Sequence, residues 1–364
     1  MPDEGQTQAA GHYRGEAEET SPTGRFQGGE GKKRCFLKES QETGEETRDM
    51  ATAFIFPGQG SQKVGMGKEL AENFASARAV FEEVDDALGR PLSKIIFEGP
   101  EEELTLTENA QPALMAVSMA VVRVLENDFG VKIADHARYL AGHSLGEYSA
   151  LCAAGAFTLD RTAKLLQTRG RAMQGAVPVG EGGMAAILGL DLGEVEAVAK
   201  KAAGGEVCEV ANDNAPGQVV VSGHIGAVER ACIIARDAGA KRTVMLPVSA
   251  PFHCSLMQKA AEAMAWALGE ASEMPATVPV VANVTAAPES TPAEIVDNLV
   301  RQVTGRVRWR ESMAFMAGEG VDLFVELGAG RVLTGLVKRN APNAEGMAVG
   351  TPADIEKLAE RLKG

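Results

Sequence analysis

Apolar positions along the chain follow two periods, one typical of strands and one typical of helices. Residues 54–56 form a short apolar run, and residues 68–88 then carry apolar side chains three or four positions apart. This pattern predicts a strand followed by a helix. Residues 111–125 are apolar on every side, so they are expected to form a helix that crosses the core.

The same alternation continues beyond that helix. Further strands are predicted at residues 138–141, 278–282 and 321–327, and further helices at 146–154 and 159–174. Strands separated by helices of these lengths favour an α/β fold with a mainly parallel sheet.

Between residues 177 and 249 the rhythm becomes shorter. The predicted elements are a strand at 184–190, a helix at 192–203, strands at 207–211 and 218–222, a helix at 225–238 and a strand at 242–248. Residues 212–217, with the sequence NDNAPG, are rich in turn formers and are expected to join the two middle strands. The order βαββαβ is that of a ferredoxin-like unit. We therefore expect a small domain at 177–249, inserted into a larger one formed by 50–176 and 250–364.

The first 49 residues have a different composition. They hold eight glycines, 11 acidic and seven basic residues, but no Val or Ile and a single Leu. Such a segment cannot bury enough apolar surface to offset the entropy of ordering it, so it is expected to be disordered.

Charge and cysteine usage exclude several classes of partner and site. The formal net charge is −14, and it is −10 without the first 49 residues, which argues against a nucleic-acid partner. We expect no membrane partner and a cytoplasmic location, because no apolar stretch is long enough to span a bilayer and the N-terminus has no apolar core of a secretory signal. The five cysteines and five histidines are scattered without metal-ligand spacing, so no metal is expected.

The first candidate for chemistry is the pentapeptide GHSLG at 142–146. A G-x-S-x-G motif between a strand and a helix is typical of a nucleophile elbow, in which the glycines permit a tight turn that exposes Oγ of Ser144. The backbone N–H of Leu145, at the helix N-terminus, could then donate to a developing oxyanion.

A serine hydroxyl needs a base within hydrogen-bond reach. Four of the five histidines are poorly placed: His12 in the first 49 residues, His136 in a polar loop, His143 beside the serine and expected to point away, and His224 at a helix start. His253, where the chain re-enters the larger domain, remains. From spacing alone it could still be a loop histidine without a catalytic role, and Cys254 is a weaker alternative nucleophile.

At this point the residues resemble the malonyl-CoA:acyl carrier protein transacylases of type II fatty acid synthesis and, more loosely, the acyltransferase domains of fatty acid and polyketide synthases. The resemblance covers nearly all of 50–364 and implies a hydrolase-like larger domain. Five blocks carry it in the family's order: FPGQGSQ at 56–62, GHSLGEYSA at 142–150, RGRAMQ at 169–174, NAPGQVVVSG at 214–223 and FH at 252–253.

The resemblance implies roles for six residues. Ser144 is the nucleophile and His253 the base, which is oriented by the main-chain carbonyl of Gln302 rather than by an aspartate. The backbone N–H groups of Gln59 and Leu145 form the oxyanion hole. Arg169 grips the free carboxylate of the malonyl group, a role that suits a guanidinium, which can form two parallel charge-assisted bonds.

The resulting hypothesis is an acyltransferase that moves a malonyl group from malonyl-CoA to the phosphopantetheine thiol of acyl carrier protein through a malonyl-serine, supplying fatty acid biosynthesis. No cofactor is required, and a monomer is expected. The alternatives are a serine thioesterase or esterase and a polyketide-pathway acyltransferase.

Both expected partners are acidic or anionic, so an acidic enzyme should concentrate cations near its site. The candidates for this cluster are Lys338 and Arg339, or Arg306, Arg308 and Arg310.

Overall fold

The structure, a computed structural model, describes residues 51–269 and 274–363. The segment predicted to be disordered, 1–49, lies outside these residues. The strands are β1 (Thr52–Phe56), β2 (Ala137–Gly142), β3 (Gly182–Leu188), β4 (Cys208–Ala215), β5 (Gln218–His224), β6 (Arg242–Met245), β7 (Val280–Val281), β8 (Pro288–Glu289), β9 (Leu323–Leu327) and β10 (Glu345–Val349).

The helices connect these strands and cover them. They are α1 (Lys68–Asn73), α2 (Ala75–Leu88), α3 (Leu92–Glu98), α4 (Glu101–Thr105), α5 (Thr107–Asn127), α6 (Ile133–His136), α7 (Leu145–Ala153), α8 (Leu159–Gly175), α9 (Leu192–Ala203), α10 (Ile225–Asp237), α11 (Gln258–Gly269), α12 (Pro292–Thr304), α13 (Trp309–Gly318), α14 (Thr334–Asn340) and α15 (Pro352–Lys363).

The larger sheet has six strands in the order β10-β9-β1-β2-β7-β8, and all pairs are parallel except β7 with β8. Every residue of β1 and β9 is buried, as expected for central strands covered on both faces. The predicted α/β fold with a mainly parallel sheet is confirmed. In the register of β1 with β2, Phe56 lies opposite Gly142, so the loops that follow these two strands start side by side at one edge of the sheet.

Helix α5 is the core helix that the sequence predicted. Its residues are buried along almost its whole length, and it packs against α2, α7 and α8. Within the described ranges, no helix is both long enough and apolar enough to cross a membrane.

The second sheet has four antiparallel strands in the order β4-β5-β3-β6. Along the chain its elements run β3, α9, β4, β5, α10, β6, which is the predicted order βαββαβ. Apolar side chains from these strands and from α9 and α10 form a core of their own.

The prediction of a single helix at 68–88 is wrong in one respect, because the helix is interrupted at Phe74. This residue is extended, with φ −125° and ψ 125°, and separates α1 from α2. Its ring packs edge-on against Phe129 with 6.0 Å between centroids. The apolar periodicity continues across the break, so the pattern could not reveal one residue that leaves the helical conformation.

The turn predicted at 212–217 does join the two middle strands, but it is shorter than predicted, because β4 continues to Ala215. Only Pro216 and Gly217 form the turn, and Gly217 has φ 66°. Asp213 tolerates the strand because its buried carboxylate forms an ion pair of 2.7 Å with Arg310 of α13. A tertiary partner thus outweighs the local preference of Asn and Asp for turns.

Candidate active site

Ser144 stands in a strained turn between β2 and α7. Its backbone has φ 54° and ψ −109°, which a non-glycine residue adopts only where the surrounding structure enforces it. A Cβ atom on Gly142 would lie 1.9 Å from the carbonyl oxygen of Gly146, and one on Gly146 would lie 2.3 Å from that of Phe56. Both flanking glycines are therefore required by contact with the main chain, and the turn has the geometry of a nucleophile elbow.

His253 is the histidine that the structure brings to this serine. Its Nε2 lies 2.7 Å from Oγ of Ser144, and its Nδ1 lies 2.9 Å from the main-chain carbonyl oxygen of Gln302. A carbonyl only accepts, so Nδ1 carries the proton and Nε2 is free to accept the serine proton. His143 instead contacts Oδ1 of Asn214 at 2.9 Å.

Burial and charge keep the imidazole of His253 neutral. Loss of solvation lowers its pKa, and the nearby guanidinium of Arg169 lowers it further, to about 3. Both effects disfavour the imidazolium form. At neutral pH the ring is therefore neutral, and its Nε2 is free to act as a base.

Arg169 is a buried cation beside the nucleophile. One of its terminal nitrogens donates to Oε1 of Gln111 at 2.9 Å, and the other lies 2.7 Å from Oε1 of Gln302 and 3.1 Å from Oγ of Ser144. The guanidinium also lies over the ring of Tyr148, 5.6 Å from its centroid. All of these direct partners are neutral, so an anionic group of a substrate could pair with this arginine next to the serine.

Arg171, two residues further along α8, is placed differently. Its side chain is exposed and forms an ion pair of 2.7 Å with Glu108. The two arginines thus face different sides of the helix, and only Arg169 reaches the serine.

A cavity of about 500 Å³ opens onto the nucleophile. Its lining includes Ser144, His253 and Arg169, as well as Gln59 from the loop after β1 and Leu145 at the start of α7. The first amides of a helix have no acceptor within the helix. The N–H of Leu145 is thus available at this wall, and Gln59 reaches the same cavity because β1 and β2 end side by side. The rest of the wall combines apolar and polar side chains, among them Met173, Met184, Leu246, Val248 and Phe252 on one hand and Gln62, Glu101, Gln111 and Asn212 on the other.

Two buried side chains behind the serine were missed by sequence reasoning. Oδ1 of Asn283 accepts from the N–H of Ser144 at 2.8 Å, while Oε2 of Glu147 accepts from the N–H of Asn283 at 2.9 Å. Glu147 lies inside the block GHSLGEYSA, but Asn283 lies 139 residues from the serine it contacts. No spacing rule could have found it.

The candidates for the predicted cation cluster do not line this cavity. Arg306 is paired with Glu196, and Arg308 with Glu311. Arg310 is paired with Asp213 as described above, and Arg339 donates to Oε1 of Gln218 and to the carbonyl of Pro216. None of these arginines, nor Lys338, lines the cavity. Over residues 51–269 and 274–363, no group of three or more His, Cys, Asp or Glu side chains is arranged to hold a metal ion.

An elbow serine with a neutral histidine, set in an α/β fold, defines a serine-dependent acyl-transferring enzyme. The model of the acyl transferase domain family matches residues 53–353. The chain belongs to this family and is an acyltransferase.

The known relatives match most of the chain. Malonyl CoA-acyl carrier protein transacylase from Bacillus subtilis (strain 168) is 45% identical over 312 residues, which are 85% of this chain and 97% of the relative. The crystal structure of acyl-carrier-protein-S-malonyltransferase from Bartonella henselae is 56% identical, with a TM-score of 0.85, and the match covers 86% of this chain and 100% of that one. A malonyl-transacylase solved in complex with a type II PKS acyl-carrier protein is 42% identical, with a TM-score of 0.83 and coverage of 85% and 99%.

Proposed function

We propose that this enzyme transfers the malonyl group of malonyl-CoA to the phosphopantetheine thiol of acyl carrier protein. The observation that carries the proposal is the buried guanidinium of Arg169, 3.1 Å from Oγ of Ser144. An acyl group that bears its own carboxylate can be held there while its thioester carbonyl faces the serine. Both of the named relatives and the complexed structure are malonyl transferases, in agreement with this choice of acyl group.

The first half-reaction loads the serine. Nε2 of His253 takes the proton of Ser144 as Oγ attacks the thioester carbonyl, and the N–H groups of Gln59 and Leu145 stabilise the oxyanion. The intermediate collapses by breaking the bond between carbonyl carbon and sulfur. The CoA thiolate leaves with the proton from His253, and a malonyl-serine ester remains.

The second half-reaction repeats these steps with a different thiol. His253 takes the proton of the phosphopantetheine thiol, and the sulfur attacks the malonyl-serine ester. Oγ of Ser144 then leaves and regains its proton from the histidine. Protons and acyl group balance over the cycle, so the reaction is a ping-pong exchange of one thioester for another.

Fatty acid biosynthesis is the proposed destination of the malonyl group. The complexed relative, which pairs a malonyl-transacylase with a type II PKS carrier protein, keeps a polyketide pathway as the second candidate. A serine esterase or thioesterase is disfavoured, because an enzyme for apolar acyl chains would have no use for a buried guanidinium beside its nucleophile.

A direct test compares malonyl-CoA with acetyl-CoA as donors, with and without carrier protein bearing phosphopantetheine. We expect the enzyme to gain the mass of one malonyl group from malonyl-CoA and to pass it to the carrier protein. Equal loading from acetyl-CoA would contradict the role of Arg169. Release of free malonate faster than transfer would indicate a thioesterase instead.

We also propose that the fold is divided into two domains. Residues 50–176 and 250–364 form a hydrolase-like domain, and 177–249 a ferredoxin-like one, supported by the strand order β4-β5-β3-β6. A monomer in the cytoplasm is proposed as the working state, and light scattering of the purified chain tests the subunit number.

A further inference from the structure

Gln302 connects the three groups that carry the proposed reaction. Its main-chain oxygen accepts from Nδ1 of His253, and its side-chain oxygen accepts from Arg169 at 2.7 Å. Its side-chain nitrogen donates to the carbonyl oxygen of Ser144 at 2.9 Å. A shift of this one side chain would therefore change the position of the arginine relative to the serine.

Glu147 holds the nitrogen end of that amide. Oε2 of Glu147 accepts from Nε2 of Gln302 at 2.9 Å and, at the same time, from the N–H of Asn283. A carboxylate oxygen can only accept, so the amide nitrogen of Gln302 must face Glu147 and the amide oxygen must face Arg169. Asn283 in turn clamps the elbow, because its side chain accepts from the N–H of Ser144 and donates to the carbonyl of Gly142 at 2.7 Å.

Glu147 also places a carboxyl group near the buried charge of Arg169. Arg169 is buried, and its direct hydrogen-bond partners, Gln111, Gln302 and Ser144, are all neutral. A buried cation needs a compensating anion. Glu147 is itself fully buried and reaches the arginine through one bridging amide, that of Gln302.

We propose that Glu147 is a positioning residue for malonyl transfer: through the Gln302 amide it holds Arg169 beside Ser144, and through Asn283 it holds the elbow itself. This inference rests on the proposed function, since it assigns Arg169 to the malonyl carboxylate. Glu147 touches no reacting atom.

The geometry does not depend on whether this carboxyl group is ionised. Burial raises the pKa of Glu147 to about 7, while hydrogen bonds from Gln302 and Asn283 and the charge of Arg169 oppose that rise. Both donors contact Oε2, and no described side chain or main-chain group bonds to the other oxygen. A proton on Oε1 therefore leaves the two bonds intact.

Replacement by an amide removes the negative charge of this group and so weakens its hold on the two donors. In Glu147→Gln one terminal atom becomes an NH₂ group, which either faces the two N–H donors or occupies the buried site of Oε1, where it has no acceptor. We expect the kcat/KM of malonyl loading to fall by about 10- to 100-fold, the range for loss of a charge-assisted bond in a buried network. Loading from acetyl-CoA should fall much less, so the malonyl-to-acetyl ratio should drop at least about tenfold.

The malonyl-to-acetyl loading ratio distinguishes a loss of positioning from a loss of stability. A variant that is only less stable loses malonyl and acetyl loading in equal proportion. The matched control is Glu326→Gln, which changes a second buried glutamate that accepts from the main-chain N–H groups of Leu333 and Thr334 rather than from Gln302. This control should keep the wild-type ratio. If Glu147→Gln does not fold, Glu147→Asp, which withdraws the carboxylate by one methylene, gives the same comparison.

A double-mutant cycle tests the route through Gln302. Gln302→Met removes the side-chain amide but keeps the main-chain carbonyl that contacts His253. If Glu147 acts through this amide, the double variant should have a ratio within about threefold of Gln302→Met alone. Additive losses, or an unchanged ratio in Glu147→Gln, would overturn the inference. Wild-type enzyme that shows no preference for malonyl-CoA would instead refute the proposed function.

Discussion

Nε2 of His253 lies 2.7 Å from Oγ of Ser144, and no acidic side chain among residues 51–269 and 274–363 hydrogen-bonds to the imidazole. The main-chain carbonyl of Gln302 orients the ring instead. In serine enzymes with an aspartate, that carboxylate stabilises the imidazolium that forms in the reaction. Here, among the described residues, the charge that acts most on the ring is a cation, Arg169, and it disfavours the imidazolium. The proposed mechanism therefore predicts a short-lived imidazolium whose proton passes to the leaving thiolate.

Replacement of the nucleophile should stop acyl-enzyme formation. In Ser144→Ala no oxygen remains to form the ester, so we expect no malonyl adduct by intact-protein mass spectrometry and a fall in transfer of about 10⁴-fold or more. Ser149→Ala is the matched control. Ser149 lies on the same helix, and its buried hydroxyl has no hydrogen-bond partner among the described residues. An adduct that persists in Ser144→Ala would place the nucleophile elsewhere.

Loss of the guanidinium should change the choice of acyl group. Arg169→Ala removes the partner of the malonyl carboxylate, so kcat/KM for malonyl-CoA should fall by about 100-fold or more, the cost of one buried charge-assisted pair. Acetyl-CoA has no such carboxylate and should become the better donor in relative terms. Arg171→Ala, which removes an exposed ion pair with Glu108, should stay within about twofold of wild type. Equal losses for both donors in Arg169→Ala would contradict the assignment.

Sequence patterns predicted site residues that lie within one motif better than residues that contact the motif from distant parts of the chain. Ser144 and Leu145 follow from a pentapeptide with a required geometry. The contacts of Ser144 with Asn283 and Gln302 span 139 and 158 residues. Such contacts depend on the whole fold, and neither side chain has a local pattern that announces it.

The same limit explains the errors in the fold. Apolar periodicity predicted the core helix at 111–125, because burial on every side leaves a strong signal. It could not see the break at Phe74, where one extended residue preserves the spacing of the apolar positions. Turn composition at 212–217 was outweighed by the ion pair of Asp213 with Arg310, a partner 97 residues away.

The lowered pKa of His253 predicts an unusual pH profile. With a folded-state pKa of about 3, set first by burial and second by Arg169, the ring stays unprotonated well below its ordinary range. We expect kcat/KM for malonyl loading, measured by stopped-flow quench, to lack a fall centred near pH 6.5 and to stay nearly flat down to roughly pH 5. In Arg169→Ala, assayed with acetyl-CoA, the fall should move to higher pH because one of the two causes is gone. A wild-type midpoint near 6.5 would contradict this account.

Glu289 should make the fold less stable as pH rises. Burial, and next the charge of Glu147, raise the pKa of Glu289 to about 9 in the folded chain, above the ordinary 4.5. The folded state then binds this proton more tightly than the unfolded state. The stabilisation is complete below pH 4.5 and is lost as pH rises through about 9.

In Glu289→Gln this side chain can no longer be titrated, so it no longer contributes to the pH dependence of stability. The melting temperature of the variant should therefore fall less than that of the wild type between pH 5 and pH 9, so the difference between the two proteins should move in favour of the variant. Differential scanning calorimetry across this range measures the difference. Melting curves that stay parallel would show that Glu289 titrates normally.

The elbow should not tolerate a methyl group at its second glycine. A Cβ on Gly146 would lie 2.3 Å from the carbonyl oxygen of Phe56 and 2.9 Å from that of Pro57, both in the main chain. Because neither can move without shifting β1, we expect Gly146→Ala to lower the free energy of unfolding by about 3 kcal/mol or more. Its malonyl loading should fall as well, since Oγ of Ser144 is displaced from His253.

The control for this experiment is a glycine with open space around it. Gly335 lies in α14, and apart from its own turn of helix no described atom lies within 4 Å of where its Cβ would be. Gly335→Ala should raise the free energy of unfolding by about 0.5–1 kcal/mol, because alanine favours the helix and restricts the unfolded chain. Urea unfolding of the two variants should thus give shifts of opposite sign. Shifts of the same sign would mean that the contact of Gly146 with β1 does not govern the elbow.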